Sequence, residues 1–431
     1  MKIIDFLINQ VFVEASVFLG LIALIGLLLQ RRKFVDVLEG TIKTVIGIII
    51  LNAGIGVFLG ALIPLTSTLN KVFGVQAIMP DCFGPFGIVM KTLAQQVSLT
   101  FVLAFIVHVI LVRILPWKGF KNVFLTGHIM LFQSAWFVMA IQYCFKLEGT
   151  YLIALSSVLT GILWTVLPAM ARPFTKDLNN DEYTLGHLNT LGVVIPAWIG
   201  DKIKRTKKCD ELELPGFLSI FSDYTVLLAF LMPIIYIIMG LAIGQSTIET
   251  LSGGKNWIIW LILSGFSFAA GIAIVLFGVR MFLAAMLPAF KGISQKILPG
   301  AIPALDDPVF YPFAPVAAML GFIADFAVSV LITLILIVVK APIIIIPGPI
   351  FFFFDGAIAG VFGDKKGGWK GAVIGGAVMG IIVQLGSILL VQFQPALAGS
   401  GLMFSGPDMV LLAPVFYLFK AIGAAFGIVT P

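Results

Sequence analysis

Phe282–Asp306, FLAAMLPAFKGISQKILPGAIPALD, occurs in a second version earlier in the chain, Phe58–Asp81, FLGALIPLTSTLNKVFGVQAIMPD. Phe58 and Phe282, Leu59 and Leu283, Ala61 and Ala285, and Pro64 and Pro288 match at a constant offset of 224. After a one-residue slip, Lys71 and Lys296, Val72 and Ile297, and Asp81 and Asp306 match at 225. Further back, Gly47 pairs with Gly271 and Gly54 with Gly278. Each copy reads as an apolar helix, a proline break, a short amphipathic stretch with a Lys, and a tip ending in Asp. Shared Leu, Ala and Gly would make any two apolar helices look alike, but here the Pro, Lys and Asp align as well. A duplication of this length implies two related halves. In a membrane chain, interrupted apolar segments at corresponding places in two halves point to a solute site.

Composition places the chain in the bilayer. It has 431 residues, 60% hydrophobic and 11% charged, with a mean hydropathy of +1.11; soluble proteins carry about 25% charged residues. Runs of about 20 apolar residues imply an all-α membrane protein rather than a barrel. The apolar run Val11–Leu29 contains Glu14, is too long for a signal core and is read as the first span. A net charge of +6 is read as membrane orientation and not as nucleic-acid binding. Cys82, Cys144 and Cys209 form no CxxC, and His108, His128 and His187 show no zinc spacing. The expectation is therefore no disulfide, no metal and no cofactor. With no GxxxxGK[ST], no HExxH and no Ser/His/Asp arrangement, an ATP-driven pump and a membrane enzyme are both disfavoured.

Eleven spans are expected, near residues 8–30, 41–64, 97–115, 123–145, 151–170, 224–247, 257–290, 313–339, 341–363, 371–393 and 409–428. With the N-terminus outside, 18 Lys and Arg fall in inner segments (among them Arg31, Arg32, Lys202, Lys207, Lys208, Lys365 and Lys366) and six fall outside (Lys2, Lys71, Lys91, Lys146, Lys255 and Lys340). That threefold bias follows the positive-inside rule and puts the C-terminus in the cytoplasm of a plasma-membrane protein. The repeated units begin in spans two and seven, an odd number apart, so the halves are inverted. The expected division is 1–170, a cytoplasmic or interfacial connector at 171–223, 224–393, and an extra helix within 394–431. Inverted halves suit alternating access.

Several residues are candidates for solute contact. Met79–Gly87 and Pro299–Pro315 are expected to be non-helical because of their prolines, leaving backbone groups available beside Asp81 and Asp306. The alternative for each Asp is a helix cap. His128 and Gln133 lie in an otherwise apolar segment, where polar groups are costly; they meet solute or bond between helices. His187, in Gly186-His187-Leu188-Asn189, faces solute or caps a helix, and Val193–Ile199 reads as a re-entrant or interfacial segment. Phe351–Phe354 with Asp355 lines a wall or packs, and Asp325 pairs within the pathway or with backbone.

At LTGHIM (125–130), KGISQKILPGA (291–301), FAP (313–315), GGW (367–369) and ELPGFLSIF (213–221) the chain resembles the membrane-embedded C component of the ascorbate-type phosphotransferase system. This is the ascorbate permease family, related to galactitol permeases, and the resemblance spans essentially the whole sequence. It implies eleven helices, a mobile substrate-binding core, a dimerising domain, and a homodimer working as an elevator. It also implies a sugar acid, by default L-ascorbate, phosphorylated on release by a separate EIIB that is charged by EIIA. An ion-coupled secondary carrier is the alternative, as is a different sugar or polyol such as galactitol. Carried onto this chain, the family's contacts fall on Gly54, Ile55 and Gly56, on Asp81 and Phe83, on His128, Phe132 and Gln133, on His187, Leu188 and Asn189, and on Asp306. Ile55, Phe83, Phe132 and Leu188 stand where the family has polar side chains. Each lost partner to a buried hydroxyl costs about 1–3 kcal/mol.

Overall fold

A computed structural model describes residues 15–74, 76–203, 206–212, 224–298, 300–425 and 427. Glu14, Lys204, Arg205, Pro299 and the stretch 213–221 lie outside the described residues, as does the Ile55 side chain. The helices are α1 (Ala15–Leu29), α2 (Phe34–Phe73), α3 (Phe83–Ile114), α4 (Gly127–Phe145), α5 (Gly149–Asn179), α6 (Thr190–Lys202) and α7 (Tyr224–Ile243). They continue with α8 (Gln245–Leu251), α9 (Trp257–Ile297), α10 (Pro315–Val338), α11 (Pro349–Gly367), α12 (Trp369–Leu390) and α13 (Pro407–Ala425). Six short strands join them: β1 (Gln76–Pro80), β2 (Asn122–Phe124), β3 (Thr184–Leu185), β4 (Ile302–Leu305), β5 (Ile343–Ile345) and β6 (Leu402–Met403).

Among the described residues, eight helices are long and apolar enough to cross a membrane; a ninth is counted if α7 and α8, bent by 116°, form one span. Eleven were expected. Only 15 residues of α1 are described, and α11 ends in Asp364-Lys365-Lys366, which lowers its hydropathy.

Several boundaries differ from expectation for local reasons. The proline breaks do not occur: α2 runs through Pro64 and α9 through Pro288. Proline is tolerated inside membrane helices more readily than in soluble ones. Residues Phe83–Gly87, expected to be irregular, open α3. Pro85 is its third residue, where a backbone N–H has no intrahelical partner to lose. The helix bends at Leu93 (φ −124°, ψ 21°) before continuing into the expected span. α5 takes nine residues of the expected connector and ends on Asn180 in the left-handed region. Val193–Ile199 lies within α6, a helix of 13 residues.

The tips are not open backbone. β1 lies between β5 and β6, and β4 between β2 and β3, with every pairing parallel. Their polar groups are spoken for: Met79 N donates to Gly401 O (2.8 Å), Asp81 N to Met403 O (2.9 Å), and Ile302 N to Lys121 O (3.0 Å). Backbone at membrane depth must be paired inside the protein, and strand pairing between distant segments does this where helix fails. Met79–Cys82 stays outside helix as expected, and the second tip keeps its break as β4 followed by the 3-10 turns Asp307–Val309 and Tyr311–Phe313.

Helices α1, α2, α7 and α9 pack mainly on one another, while α3–α6 pack with α10–α13. The α2–α9 crossing falls on the repeat's own glycines. A Cβ on Gly278 would lie 2.5 Å from Leu51 N and 2.6 Å from Gly47 O. In the second group, Gly356 approaches α10 so closely that a Cβ would sit 2.6 Å from the Phe322 Cα. Small residues let membrane helices approach to backbone contact.

Candidate functional site

The site is built at the carboxyl end of the β2–β4–β3 sheet. Leu125 N donates to Ala304 O (3.0 Å) and Gly186 N to Leu305 O (2.7 Å), so the three segments leave the sheet side by side. Just beyond stand His128, His187 and Asp306. Gly186 is required by this closeness, since a Cβ there would lie 2.7 Å from Ala304 O.

The three side chains converge. His128 Nε2 lies 3.6 Å from Asp306 Oδ2, and His187 Nε2 lies 3.5 Å from Asp306 Oδ1. Asp306 Oδ1 also accepts from Asp307 N at 2.9 Å, which caps the 3-10 turn. Asp306 thus caps a turn, the alternative reading, and still keeps 32% of its side chain open. Behind it, Asp307 is fully buried, 3.1 Å from His187 Nδ1 and hydrogen-bonded to Asn189 Nδ2. Asp355 lies buried nearby in α11, directly after Phe354. Among the described residues, His128 Nδ1, Asn189 Oδ1, Asp307 Oδ1, Tyr311 OH and Asp355 Oδ2 are buried without a hydrogen-bond partner. Unmet polar atoms in such number are costly, and a molecule rich in hydroxyls would satisfy them.

Aromatic rings close the site. Phe132 meets His128 edge-on at 5.8 Å and Phe83 at 5.0 Å, and Phe354 stacks on His187 at 5.8 Å. Phe83, Phe132, His128, His187, Asn189, Asp306 and Asp355 therefore belong to one neighbourhood.

The other sequence candidates play different parts. Asp81 is 3% exposed, and its Oδ2 accepts from Gly84 N at 2.7 Å, so its carboxylate is engaged in capping α3. Gln133 is buried and accepts from Trp164 Nε1 at 2.6 Å, the helix-to-helix alternative. Leu188 offers its main-chain O to Asp408 N (3.0 Å) and keeps its side chain buried. Gly54 is buried within the uninterrupted α2, and residues 54–56 are helical. Asp325 is fully buried in α10 and accepts from Ser329 at 3.3 Å.

Sequence reasoning passed over Asp307, Tyr311 and Asp408. Asp408 Oδ2 and Oδ1 accept from Thr190 N and Leu191 N, both at 2.9 Å, which fixes the start of α6 and the His187–Asn189 turn before it. An acidic residue directly after Gly406-Pro407 and ahead of an apolar run was the available signal.

The family model of the PTS system sugar-specific permease component, EIIC-GAT, matches residues 10–408, which include every residue of the site. The chain belongs to the EIIC-GAT family. It is 26% identical over 447 aligned positions to the "Ascorbate-specific PTS system EIIC component" of Mycoplasma pneumoniae. That alignment takes in 90% of this chain and 66% of the relative, so the chain spans just under two thirds of the length of the curated protein it matches. EIIC-GAT chains are helical membrane proteins, in agreement with the apolar helices found here.

Proposed function

We propose that this EIIC-GAT chain is the translocating component of a sugar phosphotransferase system and binds a sugar acid of the ascorbate type at His128, His187 and Asp306. The observation that carries this reading is the convergence of those three side chains, with Asn189, Asp307 and Asp355 behind them, beside buried polar atoms that lack partners. Asp306 accepts solute hydroxyls, the imidazoles donate or accept, and Phe83, Phe132 and Phe354 cover the apolar faces of the ring. The phosphoryl group is supplied by a separate EIIB, itself charged by EIIA. Because Ile55, Phe83, Phe132 and Leu188 are apolar, the solute makes fewer polar contacts than the ascorbate carriers offer.

The strand order supports an inverted repeat. β1 maps to β4 at an offset of 225 (Ala77 to Ile302), β2 to β5 at 221 (Asn122 to Ile343), and β3 to β6 at 218 (Thr184 to Leu402). Each tip strand is held by the two strands of the other half. On this mapping α13 is the counterpart of α6, and the repeat reaches past the five spans of each half. Alternating access then follows from moving α3–α6 and α10–α13, which carry the site, against a dimerising frame of α1, α2, α7 and α9.

Calorimetry on the purified protein with L-ascorbate and with galactitol tests the substrate class, with micromolar binding of ascorbate expected (about −8 kcal/mol). Galactitol binding without ascorbate binding would move the chain to the polyol branch. Everted vesicles lacking EIIA and EIIB test the coupling. Concentrative uptake driven by an ion gradient would favour the secondary carrier, for which buried Asp325, with Oδ2 unpartnered among the described residues, is the ion-binding group.

A further inference from the structure

The contacts of Asp306 with the two histidines are too long for hydrogen bonds. They measure 3.6 Å to His128 and 3.5 Å to His187, against about 2.7–3.2 Å for a hydrogen bond. Each nitrogen faces a different oxygen of the carboxylate, and each separation is close to another spacing. A tetrahedral cation with bonds of about 2.0–2.1 Å to nitrogen and oxygen separates its ligand atoms by about 3.3–3.4 Å. The donor atoms of His128, His187 and Asp306 all lie within 4.8 Å of one another.

Independent features support a cation here. Asp307 Oδ2 sits 3.1 Å from the far nitrogen of His187, Nδ1, although not aligned for a straight hydrogen bond. A carboxylate behind an imidazole is the usual support of a metal-bound histidine; it fixes the ring and leaves Nε2 as the donor to the metal. Asp307 is itself fully buried and held by Asn189. His128 Nδ1 is buried and without a partner among the described residues, so His128 is not committed to another hydrogen bond. The three ligands issue from the ends of β2, β3 and β4, whose parallel register places them, so their spacing is a property of the sheet and not of three mobile side chains.

We propose that His128, His187 and Asp306 bind one divalent transition-metal cation of the zinc type, leaving a fourth position to water or to a solute hydroxyl. Two nitrogens and one oxygen suit Zn2+ and its neighbours, whereas Mg2+ and Ca2+ want all-oxygen sites. The metal site stands on side-chain geometry alone. Only its consequence, that the cation competes with solute for the same lone pairs, rests on the proposed transport.

The test uses the full chain purified in detergent and Zn2+ alone as the probe. Calorimetry should find one Zn2+ per chain and far weaker Mg2+. X-ray absorption of the zinc complex should show two imidazoles and oxygen, with no sulfur. His187→Ala and Asp306→Asn should weaken binding about tenfold or more, while Cys82→Ser, Cys144→Ser and Cys209→Ser leave it unchanged. No zinc binding, a sulfur ligand, or full binding by folded His187→Ala and Asp306→Asn would overturn the site. Should those variants fail size exclusion, the X-ray absorption of the unaltered protein still decides. Zinc that binds as expected but leaves solute affinity untouched would overturn the competition, and with it the placing of solute on this triad.

Discussion

The carboxylate of Asp306 keeps 32% of its side chain open and faces two imidazole nitrogens, whereas Asp81, at the same place in the other copy of the repeat, is 3% exposed and caps α3. Charge-assisted hydrogen bonds contribute about 1.5–3 kcal/mol each. Asp306→Asn should therefore weaken solute binding roughly tenfold or more, as about 1.4 kcal/mol is a factor of ten. Asp81→Asn keeps a cap acceptor and should leave affinity within about twofold, while Asp81→Ala should cost about 1 kcal/mol of stability through the lost cap. Calorimetry and thermal unfolding on the same preparations read both effects, and a larger loss of affinity for Asp81→Asn than for Asp306→Asn would put the anchor in the wrong copy. The repeat makes both aspartates visible in the sequence but cannot tell them apart. What separates them is their neighbours: Gly84 is three residues from Asp81, whereas His128 and His187 reach Asp306 only through strand pairing. Asp307 and Asp408 escape notice for the same reason, since their partners Asn189 and Thr190 lie in the other half of the sequence.

Short parallel strands, absent from any reading of apolar periodicity, are what assemble the site. Two to five residues carry too little pattern to mark a strand. The apolar cores of the helices are legible, because runs of about 20 apolar residues have few alternatives in a bilayer, but their ends are not: α3 begins at Phe83 and not near residue 97. Gly186→Ala tests the sheet directly. Its new Cβ would meet main-chain atoms of Ala304 at 2.7 and 2.9 Å, and main chain within a sheet cannot give way cheaply. Solute affinity should fall about tenfold although residue 186 contacts no solute; wild-type affinity would show that the β3–β4 register does not position His187. A second element test concerns the loop that feeds β2. Arg172 donates to Lys118 O and Asn122 Oδ1 and forms a two-pronged pair with Asp181 at 2.7 and 2.9 Å. The Arg172 hydrogen bonds hold the Asp181 carboxyl below its usual range. A lowered folded value means that this stabilisation is complete above the unfolded pKa, about 4, and is lost as the pH falls further. Asp181→Asn should lower the melting temperature at pH 7, and its gap from wild type should close as the pH is taken below about 4.

Across the whole molecule, the basic segments assigned to the inner face come together in space although they are distant in sequence. Lys366 Nζ meets Asp201 at 3.1 Å, Thr206 N donates to Gly367 O at 3.2 Å, and Trp369 N donates to Lys207 O at 2.9 Å. The charge bias and the packing are independent, and they agree that Lys202, Lys207, Lys365 and Lys366 share one side. On the positive-inside rule, the side expected for them is the one that faces the cytoplasm. The proposed inversion of the halves does not depend on which side that is; it needs the β2–β4–β3 and β1–β5–β6 sheets to lie toward opposite faces. Cys82, Cys144 and Cys209 are all buried, so single cysteines introduced on the wild-type background can be labelled with little interference. In intact cells, Lys207→Cys and Lys366→Cys should resist a membrane-impermeant maleimide, while Glu148→Cys and Lys255→Cys, exposed at the other end of their helices, should react. Permeabilised cells should label all four. Reaction of Lys207→Cys and Lys366→Cys together from outside would reverse the orientation but keep the packing. Reaction of one without the other would break the packing itself, and the inverted halves and the alternating-access reading would go with it.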